Sequence, residues 1–176
     1  MVAPYPASLL KLMVAVGVGL AMDAGRCTAD EIDATARAMI VDSDNEATTA
    51  LVRALHGWGL IARRGDIETR HALHEAFAAR GLATLRLART APDGGWGNAA
   101  GAGVGHIQMT AWDTVRLLWL LDPQAPPPPW PGATPLLSPA SRDRVLGWMA
   151  EPSPNRILFV DEAAAGLQFT HKTGTT

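Results

Sequence analysis

Cysteine is nearly absent from this chain of 176 residues, with Cys27 standing alone. A single thiol excludes an internal disulfide and a cysteine-rich zinc site. Net charge is small as well, at −2, which leaves nothing to attract a polyanion such as nucleic acid. The apolar stretch "LLKLMVAVGVGLAM" falls short of the ~18 residues that a membrane-spanning helix needs. Lysine is the other scarcity. The fifteen basic residues are thirteen arginines and only two lysines, Lys11 and Lys172. Arginine carries surface charge equally well, but it cannot lose its proton when desolvated or act as a compact ammonium. The two lysines are therefore candidate working groups before any motif is considered.

What is present is globular in character, with 48% hydrophobic and 18% charged residues. The length suits one domain with its own core. Residues 8 to about 22 read as a buried helix, behind an extended approach held by Pro4 and Pro6. Residues 24–26 read as a turn. Thr28 and Glu31 form a capping box that opens a helix to about residue 40. The polar residues 42–45 lead into a helix ending near His56 and Gly57. A further helix is expected over residues 66–80, stopped by Gly81. The glycine-rich stretch 90–105 is a loop. Thr110 and Asp113 start the helix "AWDTVRLLWLL". Prolines 126–129, 131 and 135 make a stiff extended connector. Ser138 and Pro139 open a last helix to about residue 150. The end, "LQFTHKTGTT", has the character of a strand. The expected chain is mostly helix with a strand only at its far end. A lone strand cannot satisfy its own backbone, so the chain is expected to be a piece of a larger α/β protein.

Three short motifs carry chemistry. Ser8-Leu9-Leu10-Lys11 is S-x-x-K, and on a helix the i and i+3 side chains share a face. A lysine desolvated by the apolar run after it can act as the base that activates a serine hydroxyl. Ser43-Asp44-Asn45 is S-D-N, and Lys172-Thr173-Gly174 is K-T-G. Each occurs once, in this order, and together they use both lysines.

The set resembles the signature of class A β-lactamases and penicillin-binding proteins. The stretches "AMIVDSDNEATTALVRALHG", "HEAFAARGLATLRL", "MTAWDTVRLLWLL" and "LQFTHKTGTT" are similar to that family's helices and to the strand that walls its site. The resemblance implies an α/β (α+β) fold, with a helical subdomain packed on an antiparallel sheet that lies largely outside this chain. Residues 1–176 would be a single domain truncated at both ends. It implies Ser8 as the acylated nucleophile, Lys11 as its base and Ser43 as a proton relay to the leaving nitrogen. Asn45 would hold the substrate's side-chain amide. Lys172 and Thr173 would bind its carboxylate, with Gly174 leaving room along the strand. The backbone N–H groups of Ser8 and Thr175 would form the oxyanion hole. No metal or organic cofactor is implied. The expected substrate is a β-lactam or a peptidoglycan-stem-like peptide, handled by a secreted or periplasmic monomer. A D-alanyl-D-alanine peptidase, another serine hydrolase and a penicillin-binding sensor that acylates once are the alternatives.

The pattern departs in two places. The family's loop has a glutamate four residues before an asparagine; with Asn98 as that asparagine, Gly94 stands in the glutamate's place. Asp93, one residue further back, is the nearest carboxylate for deacylation, although it also reads as a plain turn residue. Ser8 and Ser43 are 35 residues apart, a short interval for class A. Plainer readings apply elsewhere. In isolation the segment after Ser8 also fits a secretion signal, Ser43-Asp44-Asn45 a helix cap, and Lys172 a solvated strand end. His71 and His74 share a helical face without a third metal ligand. "GAGVG" matches no phosphate-loop spacing. Trp112, Trp119 and Trp148 are expected in the core, and Trp96 as a substrate wall.

Overall fold

A computed structural model of the chain describes residues 7–63, 71–89 and 107–151. Helix α1 spans Leu10–Asp23, and every residue from Leu10 through Gly19 is buried. A helix apolar on all sides must be enclosed, and α1 forms the centre of the core. Helices α2 (Ala29–Ile40), α3 (Asn45–Gly57) and, later in the chain, Pro139–Ala150 pack around it. Their approach is close. A Cβ added at Gly17 would sit 2.9 Å from Leu55 Cδ1, and one at Gly19 would sit 2.9 Å from Leu137 Cδ1.

Local signals set most helix starts. Thr28 and Glu31 form the expected capping box of α2. Asp44 caps α3, accepting the Ala47 N–H at 2.6 Å. After β1 (Ala62–Arg63) comes α4 (Ala72–Ala78), then β2 (Arg86–Arg89) and β3 (Ile107–Gln108). Thr110 caps α5 (Ala111–Leu121), and Ser138 caps α6 (Pro139–Ala150), with proline in the first turn. Among the described residues the strands form one small sheet in the order β1-β2-β3. Its first pair is parallel and its second antiparallel. The described chain is thus α+β in make-up, with helices dominant. None of its described helices is long and apolar enough to cross a membrane.

Three expectations need correction. Strand is not confined to the far end, because β1 to β3 lie mid-chain; strands of two to four residues are too short to show alternation. The helix expected from residue 66 starts at Ala72, since His71 is extended at φ −111° and ψ 148°. Trp112 is no core residue: it is 71% exposed, because α5 buries the face of Asp113, Leu117 and Leu121 instead. Trp148 is buried as expected. Trp119 is half-buried and meets Trp130 edge to face at 6.0 Å. The proline connector is tied down by the same tryptophans. Trp119 Nε1 donates to Pro126 O at 2.8 Å, and Trp130 lies 4.4 Å under the Arg116 guanidinium. The expected strand at residues 167–176 and the loop at 90–105 lie outside the described residues.

The far end of α1 is clamped to α6. Asp23 accepts from the Ser138 N–H at 2.8 Å, the Ser138 hydroxyl at 2.5 Å and the Ser141 hydroxyl at 2.6 Å. Burial pushes the Asp23 carboxyl up, but these hydrogen bonds outweigh it and hold it below its ordinary value of 3.8. A depressed carboxyl stabilises the fold above its unfolded pKa, and that contribution is lost as pH falls through the folded value. Asp23→Asn keeps one acceptor and cannot titrate. Its melting temperature should therefore fall less than the parent's on going from about pH 5 to pH 2, and equal falls would discount the clamp. At the crowded centre, Gly17→Val should cost about 1–3 kcal/mol in a urea titration, as overpacking does.

Candidate functional site

Ser8 sits in the 3-10 turn Ala7–Leu9 that runs into α1, and Lys11 lies in the first turn of the helix. The i, i+3 spacing brings Lys11 Nζ to 3.2 Å from Ser8 Oγ, as the S-x-x-K pattern predicts. Both side chains are buried, Lys11 to 2% exposure. A buried amine needs oxygen partners to replace water. They come from the corner between α2 and α3.

That corner depends on an unusual residue. Ser43 has φ +59°, the one positive φ at a non-glycine position among the described residues. The left-handed region crowds the Cβ and typically costs about 1–2 kcal/mol. The turn is held by the Asp44 N–H reaching back to Ala38 O at 3.0 Å, while Asp44's own carboxylate caps the next helix. In return, Ser43 presents two oxygens to the lysine. Lys11 Nζ donates to Ser43 O at 2.5 Å and to Ser43 Oγ at 3.0 Å. Asn45 Oδ1 accepts from the same nitrogen at 2.9 Å. Ser43 Oγ in turn donates to Ser8 Oγ at 2.9 Å. Ser8, Lys11 and Ser43 thus form a closed triangle of hydrogen-bonding atoms.

The chemistry of the donors orders this cluster. A carbonyl and an amide oxygen can only accept, so Ser43 O and Asn45 Oδ1 claim two protons of the lysine. The same Nζ also faces the two hydroxyls. Protonated, the amine donates there; neutral, its lone pair accepts from them. Asn45 is oriented by the same logic: with Oδ1 turned to the lysine, its NH₂ group is the part left for a ligand. Asn45 is exposed, whereas Ser8 and Lys11 are buried.

Four expected residues, Ser8, Lys11, Ser43 and Asn45, therefore come together. Lys172, Thr173, Gly174, Thr175, Asn98 and Asp93 lie outside the described residues. Reading the sequence missed two features, the Ser43 carbonyl as an anchor for Lys11 and the left-handed backbone that aims it. Ser43 stands three residues past Ile40, the last residue of α2, and not at the position directly after the cap where glycine commonly turns the chain, so no local signal marked it. Elsewhere, His74 Nδ1 lies 3.3 Å from Leu85 O, and no group of three or more potential metal ligands occurs among the described residues. Comparison of the chain with family models, curated proteins and solved structures gave no match.

Because the penalty at Ser43 belongs to the Cβ, two variants that both remove the hydroxyl should differ. Ser43→Gly should be more stable than Ser43→Ala by about 1 kcal/mol in urea unfolding. Equal stability would mean that the backbone relaxes freely at this corner.

Proposed function

We propose that the chain is a serine acyl-transfer hydrolase of the penicillin-recognising kind, nearest in its motifs to class A β-lactamases, and carries the helical part of that fold. The observation that carries this reading is the hydrogen-bonded triangle of Ser8, Lys11 and Ser43, with Nζ–Oγ separations of 3.2 and 3.0 Å and an Oγ–Oγ separation of 2.9 Å. Neutral Lys11 takes the Ser8 hydroxyl proton as Ser8 Oγ attacks the carbonyl carbon of a strained cyclic amide. The tetrahedral adduct collapses with cleavage of the C–N bond. The leaving nitrogen receives a proton from Ser43 Oγ, which is replenished from the Lys11 ammonium. The net result is one proton moved from the Ser8 hydroxyl to the leaving nitrogen, with the lysine again neutral. Water then cleaves the Ser8 ester to complete turnover.

Substrate recognition follows from the same groups. The outward NH₂ of Asn45 suits a carbonyl acceptor on the acyl side of the ligand. Lys172 and Thr173 would take its carboxylate, with Gly174 alongside and the N–H groups of Ser8 and Thr175 facing the oxyanion. Asn98 would join the substrate-binding groups, and Asp93 is the group proposed to act on the deacylating water. The second reading is a peptidase or sensor that stays acylated. It is favoured by one observation, Gly94 at the position of the family's loop glutamate.

A chromogenic β-lactam with intact-mass analysis tests the proposal. Turnover abolished by Ser8→Ala, by about 10³-fold or more, is the expected result. A stable adduct on Ser8 without turnover would favour the second reading. No adduct and no turnover would sink the β-lactam assignment.

A further inference from the structure

The corner that carries Ser43 and Asn45 is held by a residue outside all three motifs. Thr48, near the start of α3, is only 2% exposed. A buried hydroxyl is costly unless it is hydrogen-bonded. Thr48 Oγ1 donates to Asp44 O at 2.6 Å, and the Thr48 N–H reaches the same oxygen at 3.3 Å. Helix α5 begins on the same pattern, with Thr114 Oγ1 donating to Thr110 O at 2.7 Å. There the backbone donor stands at 2.9 Å, an ordinary length. At α3 the backbone bond is long, and the hydroxyl is the closer donor to the carbonyl that opens the helix.

Two peptide planes meet at Asp44, and each leads to Lys11. A peptide unit is rigid, so holding one end aims the other. In the first plane the Asp44 N–H is held by Ala38 O at 3.0 Å, and the opposite end is Ser43 O, which accepts from Lys11 Nζ. In the second plane Thr48 holds Asp44 O, and the opposite end is the nitrogen from which Asn45 begins. Asn45 Oδ1 then accepts from Lys11 Nζ at 2.9 Å. One rigid plane and one side chain therefore separate the Thr48 hydroxyl from the amine.

We propose that Thr48 is a positioning residue, whose hydroxyl fixes the 44–45 peptide and thereby keeps Asn45 Oδ1 on Lys11 during acylation of Ser8. This rests on the hydrolase reading. Lys11 takes the Ser8 proton in that step, and misplacement of a reacting group by about 1 Å can cost about 10²-fold in rate. The test uses the full chain and a chromogenic β-lactam, measuring the limiting rate of acylation apart from the half-saturating concentration. Thr48→Val removes the hydroxyl and keeps the shape. Thr48→Ala removes it without adding a methyl, should the first fail to fold. Thr48→Ser keeps the hydroxyl, and Thr114→Val removes the equivalent bond in α5. The expected result is limiting acylation slower by about tenfold in Thr48→Val and Thr48→Ala, with the half-saturating concentration changed less than about twofold. Thr48→Ser and Thr114→Val should acylate within about twofold of the parent rate. In an Asn45→Ala background the loss at Thr48 should vanish, because the two residues act in series. Parent-like acylation in Thr48→Val would overturn the positioning role and leave the hydroxyl as a helix contact. A change confined to the half-saturating concentration, an equal loss in Thr114→Val, or a Thr48 loss that persists without Asn45 would overturn it too. If the parent chain forms no adduct on Ser8, the hydrolase reading fails and the positioning role with it.

Discussion

The rest of the structure depends on how the amine of Lys11 is kept out of water. An ammonium or amine buried without partners would cost several kcal/mol, more than most single contacts return. Oxygens from two separate parts of the chain partner it: Ser8 from the turn that leads into its helix, and Ser43 and Asn45 from the corner between α2 and α3. Each requirement propagates outward. The corner must turn within a few residues, so Ser43 takes a left-handed backbone. Asp44 must then start α3 at once, so its carboxylate caps the helix. The hydrogen-bonded cluster and the helix junction are one object.

Helix α1 supplies the frame. Its middle is apolar and crowded, with Gly17 and Gly19 admitting Leu55 and Leu137. Polar ties occur only near its ends, at Lys11 and at Asp23, about 18 Å apart for twelve residues of helix. The apolar middle contributes most of the burial but is indifferent to small slides along the helix axis, as hydrophobic packing lacks direction. The hydrogen bonds at the ends have direction. Together they fix how far α1 extends past the α2–α3 corner, and hence the 2.9 Å between Ser8 and Ser43.

How much of this could be read from the sequence follows from the range of each signal. The starts of α2, α5 and α6 were legible, because Thr28, Thr110 and Ser138 cap residues three positions away. The Ser8–Lys11 pair was legible for the same reason, being a local helical spacing. The meeting of Ser43 with both was not a local matter. It spans 35 residues and was anticipated only through the motif set. The short strands were missed because β1 and β3 have two residues each and exist by virtue of β2. Trp112 was misplaced because a helix rich in leucine and tryptophan has more apolar residues than one buried face can take. Which of them face outward is decided by what packs against α5, and there the buried Asp113 takes a place that composition would give to tryptophan.

The scarcity of lysine finds its physical reason at this cluster. An arginine at position 11 would bring five donors in a rigid fork and no atom able to accept, and its guanidinium stays charged. The oxygens around Lys11 converge on a single atom, a geometry that suits a compact nitrogen and not a planar fork. Two of them, Ser43 O and Asn45 Oδ1, can only accept, and they absorb the two protons that a neutral amine has to give. The lone pair that remains then faces hydroxyls, which can donate. Under the proposed mechanism, these partners suit a group that takes a proton from one hydroxyl and returns it through another. In a chain that uses arginine for nearly every other positive charge, this position has the chemistry that only lysine supplies.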